Sequence, residues 1–132
     1  MCIRDSVDAE AWPSFYEGAS NVVVDGEGGD GRLAPGATFR WTTMDLDFVS
    51  SVEEFEPPTR LAWESRKSTI VGYHTWLVVP LERGCRLVTA ESQHGFLTFL
   101  QKVFVPTKLH DLHDVWLAEI KKRAEAVARS RR

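Results

Sequence analysis

A chain of 132 residues, 43% hydrophobic and 27% charged, has the size and composition of one globular domain with a core of its own. No apolar run approaches the roughly 18 residues of a membrane-crossing helix, and a net charge of -3 argues against a dedicated nucleic-acid binder. Two cysteines, Cys2 and Cys85, cannot build a disulfide framework, so a reducing, cytoplasmic setting is the expectation.

The chain opens on Met1-Cys2-Ile3-Arg4-Asp5-Ser6, which has neither the apolar stretch nor the small-residue cleavage site of a secretory signal. It reads as a non-native leader of the kind that adapter sequence leaves on translated metagenomic reads, with authentic sequence expected from near Val7. Residues 8–18 carry Ala9, Ala11, Trp12, Phe15 and Tyr16, which predicts a short helix with Pro13 near its start and Gly18 as its stop. A strand is expected at 21–25 through Val22, Val23 and Val24, then a flexible turn at 25–32 and a type II turn at Pro35-Gly36. Phe39, Trp41 and Thr43 alternate with Thr38, Arg40 and Thr42, the period of a half-buried strand over 38–44. Further strands are expected at 46–56, ended by Pro57-Pro58, and at 60–65, with Leu61 and Trp63 on one face. Residues 73–81 and 86–94 read as a hairpin around Glu82-Arg83-Gly84-Cys85. Beyond Gly95 the period becomes helical. Leu109, Leu112, Trp116, Ile120, Ala124 and Val127 share one face of a long amphipathic helix, with Pro106 at its start or at a bend in it.

Six short strands with tight links are antiparallel neighbours, and a single sheet can bury its apolar face only under the long helix, so the class is α+β. One domain is expected over 7–129, with a basic tail at 130–132. Charge divides along it: residues 1–64 carry 13 acidic and 4 basic side chains, residues 65–132 carry 6 and 12. The C-terminal cations Lys121, Lys122, Arg123, Arg129, Arg131 and Arg132 complement a helix dipole and have no interleaved aromatics, so a polyanion site is not inferred.

Gly26-Glu27-Gly28-Gly29-Asp30-Gly31 matches the dinucleotide pattern G-x-G-x-x-G. That chemistry needs a helix N-terminus behind the glycines, whereas Arg32-Leu33-Ala34-Pro35-Gly36 is a turn, and Glu27 and Asp30 repel phosphate. It reads as a hairpin loop, and no cofactor is expected. His110 and His113, with Asp111 and Asp114, flank the apolar row of the helix. A metal would need two further ligands, so they read as a solvated face with local His–Asp pairing and no metal is expected. On the hairpin, a loop at 82–85 pairs Trp76 with Glu91 and Val78 with Thr89, leaving His74, Trp76, Thr89 and Glu91 on one face. These could be an acid/base pair or polar anchors for a ligand, or Glu91 could bond a neighbouring hydroxyl. A one-residue change of loop length would bring Ala90 and Ser92 to that face instead. No nucleophile, P-loop or Cys-pair motif is present.

The run Leu33-Ala34-Pro35-Gly36-Ala37-Thr38-Phe39-Arg40-Trp41, then Val52 and Glu56-Pro57-Pro58-Thr59-Arg60-Leu61-Ala62-Trp63, resembles the START-like (SRPBCC) superfamily, the polyketide cyclase/dehydrase and lipid-transport group. His74-Thr75-Trp76, Gly84, Thr89-Ala90-Glu91-Ser92, Gly95 and Trp116-Leu117 with Lys121 and Ala124-Glu125 extend the likeness over residues 12–126. The resemblance implies a helix-grip fold, a curved antiparallel sheet wrapped around the C-terminal helix and enclosing an apolar cavity. The first strand and helix of the family pattern are missing ahead of Trp12-Pro13, which implies a truncated N-terminus, an unpaired sheet edge and possible homodimer formation. It implies binding of a small hydrophobic or amphipathic ligand, a lipid, polyketide or aromatic compound. Phe39, Trp41, Trp63, His74, Trp76, Thr89, Glu91, Leu112 and Trp116 would be the binding residues. The alternatives are a cyclase/dehydrase-type enzyme with Glu91 or His74 as general base, and a stress-response interaction domain.

Overall fold

The computed structural model describes residues 7–25, 30–95 and 107–131. The expected leader at 1–6, most of the glycine-rich loop (26–29), Pro106 and the side chain of Leu109 lie outside the described residues. A 3-10 helix, Ala9–Ser14, is followed by β1 (Ser20–Asp25), β2 (Thr38–Thr43), β3 (Leu46–Glu56), β4 (Arg60–Lys67), β5 (Ile70–Pro80), β6 (Cys85–His94) and α1 (Lys108–Ser130). The strands form one six-stranded antiparallel sheet in sequence order, so the fold is α+β. No helix among the described residues is long and apolar enough to cross a membrane.

Local chemistry explains the boundaries. Met44 and Asp45 close the β2–β3 turn with φ of 52° and 61°, so the expected strand 38–44 stops one residue early. Two positive φ values in a two-residue hairpin match the right-handed twist of the flanking strands. β3 bulges between Val52 and Glu54, so Val52 and Trp63 remain opposite one another while Glu54 pairs with Ala62. Residues 66–72, left without an element by the sequence reading, belong to the ends of β4 and β5, joined by the turn at Ser68-Thr69. Gly72 hid this, because glycine weakens a strand signal where the backbone continues it. Pro13 falls inside the 3-10 helix rather than near its start, and that helix is shorter than expected.

The alternation along the strands turns Phe39, Trp41, Phe48, Val52, Leu61, Trp63, Trp76 and Val78 into the core. Trp12 from the 3-10 helix lies against them, with ring centroids 5.7 Å from Phe39, 5.4 Å from Trp41 and 5.3 Å from Trp63. α1 adds Trp116, 5.1 Å from both Trp12 and Trp76, and the fully buried Ile120. A polar thread crosses the same layer: Trp41 Nε1 donates to Ser50 Oγ at 3.0 Å, and the Ser50 and Ser65 hydroxyls bond at 2.6 Å. Along the outer part of α1, Lys121 and Lys122 pair with Glu125 and Glu119, and Arg123 stands 4.4 Å from the centre of the Phe15 ring.

Candidate functional site

The β5–β6 register decides which polar groups meet. The connecting loop is 81–84, so Pro80 pairs with Cys85, Trp76 with Thr89 and His74 with Glu91. This corrects the pairing expected from a loop at 82–85. The correction slides the partner strand by two residues, an even step that keeps His74, Trp76, Thr89 and Glu91 on the face assigned to them. On the other side of β5, Trp63 lies opposite His74 and stacks on it, with centroids 4.6 Å apart and planes 9° from parallel.

Glu91 is the hub. Its Oε2 lies 3.1 Å from His74 Nδ1 and 2.8 Å from His113 Nε2, and its Oε1 accepts from Gln93 Nε2 at 2.6 Å. Burial alone would raise the carboxyl, but hydrogen bonds from His113, His74 and Gln93 outweigh it and hold it at about 2. It is therefore a carboxylate at neutral pH, able only to accept, and both imidazole nitrogens facing it must carry protons. His74 is buried, and burial pushes it below the usual imidazole range against the pull of Glu91. A neutral His74 with a proton on Nδ1 has Nε2 as acceptor, and Thr89 Oγ1 donates to it at 2.9 Å. The result is a chain running from Thr89 through His74 to Glu91, met by His113 from α1.

His113 corrects the sequence reading. It was expected on a solvated face with a neighbouring aspartate, yet its side chain is only 15% exposed and is spent on Glu91. His110 does follow that expectation, exposed and 3.6 Å from Asp114. A signal was available: His113 precedes Trp116 by three residues, so the two share a helix face. Gln93 and Tyr16 were also missed. Tyr16 is buried with its ring flat on Trp116, 4.4 Å away and 8° from parallel.

A small cavity of about 30 Å³ adjoins this cluster, lined by His74, Glu91 and His113 with Tyr16, Trp41, Trp63, Leu112 and Trp116. Of the expected binding residues, Trp41, Trp63, His74, Glu91, Leu112 and Trp116 meet there. Phe39 and Trp76 are fully buried in the aromatic layer behind it, and Thr89 reaches it through His74. The indole nitrogens of Trp76 and Trp116 are buried with no hydrogen-bond partner among the described residues. A wider groove of about 720 Å³ runs between the β5–β6 turn and the second half of α1, lined by Cys85, Leu87, Leu117, Ile120 and Ala124, with Arg83 and Lys121. Cavity and groove lie along the same pair of elements, the first at Glu91 and His113, the second at Leu87 and Leu117.

The sequence matches no protein-family model and no curated protein. Among solved structures it is similar to a hypothetical protein from Helicobacter pylori, known from its crystal structure, with a TM-score of 0.80 and 27% identity. The match covers 90% of this chain and 76% of that one. The likeness is one of fold, and it fits a six-stranded antiparallel sheet followed by a C-terminal helix.

Proposed function

We propose that this chain is a START-like, helix-grip domain that binds a small ligand with an apolar body and a polar end along the seam between β6 and α1. The observation that carries this reading is the groove lined by Leu87, Leu117, Ile120 and Ala124, an apolar trough of about 720 Å³ between the two elements. Apolar clefts with a few convergent polar groups are the usual form of small-molecule sites. The polar groups here are Glu91, His74, His113 and Thr89, grouped further along the same seam. Burial of the apolar body would contribute about 25 cal/mol per Å² before the costs of association. A carboxylate gripping two imidazoles also favours a second reading, acid/base catalysis of the cyclase/dehydrase kind on the bound molecule.

The test is mass spectrometry of what co-purifies with the protein, joined to titration with the apolar dye anilinonaphthalene sulfonate. Ala124→Trp fills the groove and should weaken dye binding about tenfold or more, while circular dichroism stays that of the parent. Unchanged dye affinity in a folded Ala124→Trp variant refutes the groove as the site. Turnover of the recovered molecule, rather than its simple retention, would select the catalytic reading.

A further inference from the structure

We propose that His74, Glu91 and His113 form a site for a divalent first-row transition cation, with zinc the best-matched occupant. Their ligand atoms all lie within 4.8 Å of one another, one each from β5, β6 and α1. Ligands about 2.1 Å from a tetrahedral zinc stand roughly 3.4 Å apart. Glu91 Oε2 is already 3.1 Å from His74 Nδ1 and 2.8 Å from His113 Nε2, so an ion needs those two gaps to open slightly and the two imidazole nitrogens, within 4.8 Å of one another, to close towards the same spacing. Two imidazoles and one carboxylate are a donor set suited to such cations, and three protein ligands leave a position open. The adjoining cavity of about 30 Å³ has room for one water at that position.

The surroundings supply what ligands of this kind need behind them. With a cation on His74 Nδ1, the proton moves to Nε2, and Thr89 Oγ1, 2.9 Å away, turns from donor to acceptor by rotating its hydroxyl. The Trp63 ring, stacked on His74, holds the imidazole plane. Gln93 Nε2 fixes Glu91 Oε1 at 2.6 Å, leaving Oε2 for the ion. An ion would also meet the charge of a carboxylate that is largely buried, its side chain 14% exposed. Each proton on Nδ1 of His74 or Nε2 of His113 that now bonds Glu91 would be displaced by the ion or moved to the other ring nitrogen.

The full chain, stripped with a chelator, is titrated with zinc alone against a chromophoric competitor, and its metal content is read by mass spectrometry. One zinc per chain is expected, with a dissociation constant below about 1 μM at neutral pH. His113→Ala and Glu91→Gln should each weaken it about 100-fold or more, and His110→Ala, on the exposed side of the helix, should not. Cobalt in place of zinc should give the intense visible absorption of a four-coordinate nitrogen–oxygen site, lost in the folded His113→Ala variant. Absence of stoichiometric zinc from the folded parent protein, or parent-like affinity in both variants, overturns the proposal. The cation site would lie at the polar end of the proposed ligand site, but the two readings fail separately: dye binding by the zinc-free protein reports on the groove, and zinc binding without dye reports on the cation site.

Discussion

Tyr16 shows how far burial alone can govern one group. Its ring lies against Trp116 at 2% exposure, and burial, followed by the charges of Glu91 and Glu17, pushes its hydroxyl far above the ordinary value of 10. A group whose folded pKa is raised contributes stability that is whole below its unfolded pKa and is lost as pH climbs through the folded one. Stability should therefore fall above about pH 10. The chain has two tyrosines, and the other, Tyr73, is raised less, by burial and by Glu54, to which it donates at 3.2 Å. Ultraviolet titration should show Tyr73 ionising first and Tyr16 only as the fold is lost, and Tyr16→Phe should shift the alkaline midpoint upward. Joint ionisation of both in an intact fold would refute the burial of Tyr16. This behaviour was not legible beforehand, because Tyr16 read only as one apolar position of a short helix.

At the scale of elements, the end of β6 is locked against the β4–β5 turn by Gly95. Its φ is 122°, and a Cβ there would overlap the carbonyl oxygen of Thr69. Gly36 also has positive φ, 69°, but faces open space. Gly95→Ala should thus cost more than about 2 kcal/mol, the sum of a strained backbone and a displaced turn, whereas Gly36→Ala should cost about 1 kcal/mol. Denaturant midpoints of the two variants check this, and equal losses would mean that the turn gives way freely. The strands themselves were readable where side chains alternate, as from Phe39 to Thr43. They were not readable at 66–72, where Gly72 and the turn at Ser68-Thr69 interrupt the pattern. The β5–β6 loop was misplaced by one residue, yet the face of Glu91 survived, since an even slide of register preserves alternation.

Over the whole molecule, α1 sends Trp116 and Ile120 into the core, Trp116 against Trp12, Trp41 and Trp63. Trp116→Ala should cost about 3–5 kcal/mol and flatten the near-ultraviolet dichroism, whereas Val115→Ala, beside it but 40% exposed, should change stability by less than about 0.5 kcal/mol. Comparable losses in thermal unfolding would mean that the helix docks by another face. That face, and the need for a helix to cover the sheet, were written in the sequence, because Leu112, Trp116 and Ile120 recur at the helical period and strand residues at a period of two. The chemistry at the centre was only half written there. His74 and Glu91 could be placed on a common face from hairpin spacing alone, but His113 is 22 residues from Glu91, and their bond depends on how α1 is rotated and seated on the sheet. The small volume beside them depends likewise on how five tryptophans share one layer. Periodicity is a property of neighbouring residues, and so the chain alone determined the order of the elements and their apolar faces wherever the alternation runs unbroken. Contact across the fold and the space left over are properties of packed volumes, which only the tertiary structure decided.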